Sequence, residues 1–133
     1  MSEDLTKSIG EAKVLFKASE SGWAHPLTVS EGKQIYVTDG PWLVKEETGL
    51  IMFWSSFHNG SYAVGIAISE SGKLTGPWRH CEDLFFEQDG GHGMMFEGFD
   101  GQKYFAVHQP NVGPYERAQF LKIKKTRQAY CLM

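Results

Sequence analysis

The fold is decided by the stretch at residues 39–57, which reads DGPWLVKEETGLIMFWSSF. A second stretch, at residues 92–109, follows the same plan and reads HGMMFEGFDGQKYFAVHQ. In each stretch a polar residue and a glycine precede an apolar strand, a turn and a second apolar strand. A weaker match relates residues 2–16 to residues 69–85. The chain therefore repeats a unit of about 50 residues, a period typical of modular β proteins.

The rest of the chain reads as short strands separated by turns. Alternating apolar and polar residues broken by glycine, proline and asparagine are typical of strands, and no helical period is sustained. The 15 glycines and the 14% of aromatic residues suit the same class. We predict an all-β fold with strands at residues 14–18, 42–45, 50–57, 62–69, 78–86, 94–99, 103–108 and 118–123.

Four strands per repeat of about 50 residues are the signature of a propeller blade, and closed propellers have roughly four to eight blades. Since the chain holds about 2.5 such units, we predict a partial β-propeller of four-stranded antiparallel blades. We expect residues 1–38 to end one blade and connect it to the next, 39–90 to form a complete blade, 91–123 an incomplete last blade, and 124–133 an unmatched tail. A small sandwich or barrel with an accidental repeat is the alternative.

Composition limits the partners of the chain. Its 133 residues carry 13 Lys+Arg against 16 Asp+Glu, a net charge of −3, with no basic patch suited to nucleic acid or an anionic membrane. We therefore expect neither partner. The sequence shows no signal peptide or membrane-spanning segment, so it leaves the compartment unknown.

Asp39 and His92 occupy equivalent positions in the two repeats, each directly before a glycine. The first strand of every propeller blade lines a central channel, so we expect both side chains to face one axial cavity. Glycine at the next position permits another group to approach the backbone closely. Taken singly, Asp39 could serve simply to begin a turn, and His92 could be a core histidine. Their equivalent positions in the repeat favour a functional site.

Six motifs carry a resemblance to a known family. They are TDGPWL at 38–43, WSSF at 54–57, YAVGIA at 62–67, SGKLTGPW at 71–78, DGGHGM at 89–94 and HQPN at 108–111. In this order they resemble the C-terminal part of glycoside hydrolase family 43, the five-bladed propellers that cleave arabinose- and xylose-containing saccharides. The resemblance covers residues 2–123.

The resemblance implies an inverting mechanism with a carboxylate base, a carboxylate acid and a third acidic residue that tunes the acid. The family usually has glutamate before Gly-Pro, whereas this chain has the shorter Asp39, which we expect to act as general acid or as its tuner. His92 resembles the axial histidine that lies close to a hydrated metal ion, such as Ca²⁺, or to a water cluster; no cofactor is required. The base and third acid belong to blades before residue 1, so we expect the isolated chain to be inactive.

Six further residues are candidates for contacts with a carbohydrate partner, because aromatic rings stack on sugars and polar groups bind their hydroxyls. For each of them, packing or turn chemistry is the alternative: Trp23, His25, Phe57, His108, Gln109 and Arg117. An incomplete ring also leaves apolar faces uncovered. We expect a missing N-terminal half of the propeller or a second copy to cover them. The alternative function is a non-catalytic, carbohydrate-binding or self-assembling propeller fragment.

Overall fold

A computed structural model describes residues 2–133, which form ten strands and two single-turn 3₁₀ helices. The short helices are Ala18–Glu20 and Ser30–Gly32. Within the described range no helix is long and apolar enough to cross a membrane. The strands are β1 (Leu27–Thr28), β2 (Gln34–Ile35), β3 (Asp39–Glu46), β4 (Gly49–His58), β5 (Ser61–Ser69), β6 (Arg79–His80), β7 (Gly91–Glu97), β8 (Lys103–Gln109), β9 (Arg117–Lys125) and β10 (Tyr130–Leu132).

The strands form two four-stranded antiparallel sheets. β3 to β6 pair in chain order in the first sheet, β7 to β10 do so in the second, and β1 and β2 form a separate pair. The β4–β5 hairpin turns at Asn59 and Gly60, whose φ angles of 50° and 81° suit a turn that matches the strand twist. The prediction of an all-β partial propeller is confirmed, and the sandwich or barrel alternative is not what the chain forms.

The second sheet is completed by residues that we predicted to be an unmatched tail. β9 continues to Lys125, and β10 pairs beside it with Tyr130 opposite Lys125. The Tyr130 side chain is buried, and its hydroxyl and the Lys125 ammonium both donate to the carboxylate of Glu46 at the end of β3. The prediction of an incomplete last blade that ends at residue 123 is therefore wrong, because these contacts hold the tail against the first sheet.

Two predicted strands differ from the structure. Residues 14–18 form no strand; they run beside the first sheet, where the ring of Phe16 lies 5.3 Å from that of Trp54. Residues 78–86 pair only at Arg79–His80 and through one isolated bridge between Phe86 and Val64. Apolar side chains of both segments pack on the first sheet with no backbone ladder in the first segment and an interrupted one in the second, a difference that an apolar run does not reveal.

The main core lies between the two sheets and is built around Phe53 of β4, which is fully buried. Its ring centroid lies 4.9 Å from Phe85, 4.8 Å from Phe105 and 6.1 Å from Tyr130. A second cluster, which includes Trp54, covers the other face of the first sheet with the N-terminal segment. The packed sheets hold the starts of β3 and β7 next to each other.

The outer face of the second sheet has no covering layer among residues 2–133. Met94, Phe96 and Phe120 lie on it and are 47%, 37% and 63% exposed. The register places Met94 opposite Ala106, and Ala106 opposite Phe120, so these side chains form one apolar strip. We call this strip the open face.

Candidate active site

Asp39 and His92 meet at the junction of the two sheets. Asp39 is the first residue of β3 and His92 the second of β7. Their side chains face each other, with His92 Nδ1 3.2 Å from Asp39 Oδ2. Both side chains remain partly exposed, at 59% for His92 and 43% for Asp39. The structure therefore brings the two residues singled out by the repeat into one polar site.

Glycines allow this approach. A Cβ atom on Gly40 would lie 2.7 Å from the Cα atom of His92, and one on Gly91 would lie 2.6 Å from the ring of Tyr62. Side chains at either position would force the strands apart. His92 itself has a φ of 50°, an uncommon conformation for a non-glycine residue that is often found at functional sites.

Tyr62 and Ser55 belong to the site and were missed by the sequence analysis. The Tyr62 hydroxyl donates to Asp39 Oδ2 at 2.8 Å, and the backbone N–H of His92 donates to Ser55 Oγ at 2.9 Å. Asp39 Oδ1 accepts from the N–H of Gly40 at 2.9 Å. The available signal was the strand register, because Ser55 pairs with Asp39 across β3 and β4.

The hydrogen bonds favour the ionised form of Asp39. Burial alone raises the pKa of this carboxyl, but the Tyr62 hydroxyl and the neighbouring His92 outweigh it and hold the pKa below its usual value. Burial and the Asp39 carboxylate together raise the pKa of the Tyr62 phenol well above its usual value. At neutral pH the site thus pairs a carboxylate with a protonated phenol.

The lowered pKa of Asp39 predicts a pH-dependent stability difference between the wild type and Asp39→Asn. A depressed folded-state pKa stabilises the folded protein above the unfolded value of about 3.9, and this contribution is lost as the pH falls through the folded value. The difference in unfolding free energy between the two proteins should shrink as the pH falls below about 4. Urea titrations followed by tryptophan fluorescence measure it; parallel pH profiles would contradict the expectation.

The other five predicted contact residues differ in their position relative to the site formed by Asp39 and His92. His108 stacks on Tyr62, with ring centroids 5.4 Å apart, and the Phe57 ring lies 5.2 Å from that of Tyr62, so both lie beside the site. Gln109 donates to the Gln88 carbonyl and Arg117 to the carbonyls of Pro114 and Glu116, and neither bonds to Asp39. His25 stacks on His58 beyond Phe57. None of these contacts identifies a sugar-binding role for any of the five residues.

Trp23 does not present its ring to solvent. It is 4% exposed, lies 4.6 Å from the ring of Trp54, and occupies the space that a Cβ on Gly65 would need. Trp23 is therefore packed in the core, which is the alternative given above for this residue, and its ring is not exposed for stacking on a sugar.

The residues available to a metal ion are few. Across residues 2–133, no group of three histidine, cysteine, aspartate or glutamate side chains is placed to hold an ion. Nδ1 of His92 faces Asp39, which leaves Nε2 as the ring atom that could meet a hydrated ion. Contact between His92 and a hydrated ion therefore stays a prediction.

Comparison with known proteins adds the following. No family model matches the sequence, and no curated protein gives a significant match. The chain is similar to the solved structure of an endo-arabinase from Bacteroides thetaiotaomicron VPI-5482, with 36% identity and a TM-score of 0.87 over 95% of this chain. An endo-1,4-beta-xylanase from the same organism matches 73% of the chain at 22% identity with a TM-score of 0.60. A thermostable family-43 glycoside hydrolase matches 71% at 18% identity with a TM-score of 0.59.

The chain spans less than half the length of these structures, namely 45%, 38% and 35% of the three in the order given. The second and third are too distant in sequence to establish more than the fold. The chain thus has a partial propeller fold that it shares with glycoside hydrolases, among them the Bacteroides endo-arabinase and a family-43 enzyme.

Proposed function

We propose that this chain forms the part of an inverting glycoside hydrolase that supplies Asp39 and His92 to the sugar site. The complete enzyme would hydrolyse O-glycosyl bonds in arabinose- or xylose-containing saccharides. The observation that carries the proposal is the meeting of a carboxylate and an imidazole, from equivalent strands of neighbouring sheets, 3.2 Å apart. The likeness to the endo-arabinase at 36% identity supports it.

Inversion needs two carboxyl groups on the order of 6.5–9.5 Å apart, one protonated and one ionised. Asp39 is held ionised by Tyr62 and His92, which fits a residue that tunes the acid better than the proton donor itself. Asp89, the next carboxylate along this end of the sheets, accepts from the backbone N–H groups of Tyr62 and Asn111 and is thereby engaged in the loop. We therefore place the general base outside residues 1–133.

The proposal is tested by completing the ring. The part of the Bacteroides endo-arabinase that this chain does not cover is joined to residues 2–133, or supplied separately, and assayed on aryl arabinosides, aryl xylosides and arabinan. Asp39→Asn should lower the rate by about 10²–10⁴-fold, the usual worth of an acid–base group, while exposed Asp83→Asn should leave it unchanged. Asp39→Glu raises the rate if this position protonates the leaving group. Equal rates for Asp39→Asn and Asp83→Asn would contradict a role in hydrolysis.

A second candidate, a non-catalytic sugar-binding or self-assembling fragment, is favoured by the open face. Exposed Met94, Phe96 and Phe120 form an apolar strip of the kind that marks an interaction site. In this case the 133-residue chain alone would associate, or bind xylo- and arabino-oligosaccharides without cleaving them. A monomer in sedimentation together with flat calorimetric titrations would contradict this candidate.

A further inference from the structure

Tyr62 occupies the centre of the polar site although it lies on neither inner strand. It is the second residue of β5, is 3% exposed, and donates its hydroxyl to Asp39 Oδ2 at 2.8 Å. The same oxygen faces His92 Nδ1 at 3.2 Å. One carboxylate oxygen thus lies between a phenol from the first sheet and an imidazole from the second. The other, Oδ1, accepts from the N–H of Gly40.

The ring of Tyr62 is itself packed against three neighbouring residues. It lies 5.2 Å from the ring of Phe57 and 5.4 Å from that of His108, and Gly91 of β7 leaves no room for a side chain against it. Its backbone N–H donates to Asp89 Oδ1 at 3.3 Å. Because a packed phenol has few alternative positions, its hydroxyl offers a fixed donor.

A fixed donor matters here because Asp39 is partly exposed and carries a short side chain. The Gly40 N–H holds only Oδ1, and terminal carboxyl torsions are broad, so a fixed donor to Oδ2 further limits rotation about the Cβ–Cγ bond. Hydrogen bonds to an ionised group are shorter and stronger than neutral ones, so one donor from each sheet restricts this rotation. The raised pKa of the Tyr62 phenol keeps it protonated as a donor through the neutral range.

We propose that Tyr62 is the positioning residue of this site, which orients the Asp39 carboxylate toward His92 from the neighbouring sheet. Its orienting role stands on the contacts above, whereas its effect on catalysis rests on the proposed glycosidase function. Tyr62 acts through Asp39 and not by contact with the sugar.

The first test uses the 133-residue chain and spectroscopy. Tyr62→Phe removes the hydroxyl and keeps the ring, and Tyr104→Phe is the matched control, because the Tyr104 hydroxyl donates to Asp100 Oδ2 at 3.0 Å far from the site. At pH 7, Tyr62→Phe should shift the imidazole ¹⁵N signals of His92 and the carboxyl ¹³C signal of Asp39, and Tyr104→Phe should leave both in place. Unchanged signals in Tyr62→Phe would overturn the proposal.

A reciprocal variant covers the case in which Tyr62→Phe does not fold. Asp39→Asn removes the charged acceptor and should shift the ring ¹³Cζ signal of Tyr62, with Asp100→Asn as the control that leaves it unchanged. No shift in Asp39→Asn would equally overturn the proposal.

The second test uses the completed enzyme described above. Tyr62→Phe should lower kcat by on the order of 10-fold with little change in KM, because the hydrogen bond to a charged group orients a reacting side chain. An inactive complete enzyme with the spectral shifts present removes the glycosidase function and keeps the positioning role. An active complete enzyme without the spectral shifts supports the glycosidase function and overturns the positioning role.

Discussion

Phe53→Ala is expected to lower the free energy of unfolding by about 3–5 kcal/mol, the range for removing a fully buried aromatic side chain. Phe53, on β4 of the first sheet, has no exposed surface and contacts Phe105 and Tyr130 of the second sheet and Phe85 of the segment between β6 and β7. The alanine side chain leaves a cavity between the two sheets, and the surrounding rings cannot close it without moving the sheets. Small domains are stable by only about 5–15 kcal/mol, so this loss would be a large fraction of the total.

Phe99→Ala is the matched control. Phe99 lies in the turn after β7 and is fully exposed at 115%, so the same truncation removes no packing and should change the unfolding free energy by less than about 0.5 kcal/mol. Urea denaturation of both variants, followed by tryptophan fluorescence and far-UV circular dichroism, measures the difference. A loss in Phe53→Ala no larger than in Phe99→Ala would mean that the two sheets do not share a core.

The location of Phe53 also predicts how the protein unfolds. Because its ring touches the second sheet through Phe105 and Tyr130, neither sheet keeps its buried face when the other opens. We expect one cooperative transition in both probes, as in small single domains.

Much of the fold is predictable from local pattern. Residues 50–57 and 62–69 carry apolar side chains around an Asn-Gly turn, and such a pattern has few solutions other than a hairpin. The tail was not predictable in this way. β10 has only three residues, and its place depends on Tyr130 and Lys125 reaching Glu46, 84 and 79 positions earlier in the chain. Contacts at such separation leave no periodic trace in the sequence.

The residues of the site also differ in whether the sequence predicts them. Asp39 and His92 are found through the repeat, since equivalent positions of neighbouring blades approach one axis. Tyr62 lies on β5, and its place in the site depends on the register between β4 and β5, which is set by the hairpin. Trp23 was a candidate for stacking on a sugar because of its aromatic ring, yet its side chain fills the space left by Gly65 on β5. A single sequence records the residue types in such pairs and not which ones meet.

Gly40→Ala is expected to destabilise the protein by about 2–5 kcal/mol and to separate Asp39 from His92. Two costs add in this variant. The φ of Gly40 is +51°, in the left-handed region that costs an L-residue about 1–2 kcal/mol. The new methyl group would also lie 2.7 Å from the Cα of His92, which is backbone and cannot swing aside, and overpacking of this kind costs about 1–3 kcal/mol.

Gly101→Ala is the matched control for the second cost. Gly101 has a φ of +72°, and a Cβ at that position meets nothing within 4 Å, so this variant carries the backbone cost alone. The loss of unfolded-state freedom is the same for both substitutions and cancels in their comparison. The stability difference between Gly40→Ala and Gly101→Ala, from urea denaturation, therefore measures the close approach of β3 to β7 at about 1–3 kcal/mol.

The imidazole ¹⁵N signals of His92 provide a second measure of the approach of the two sheets. If Gly40 is what lets the two sheets approach, Gly40→Ala should shift these signals at neutral pH, and Gly101→Ala should not, although both proteins stay folded. Equal stabilities and unchanged signals would mean that the strands tolerate a side chain at this position. Pairing of Asp39 with His92 would then come from the side chains alone, and the glycine that follows Asp39 in the repeat would serve only its turn.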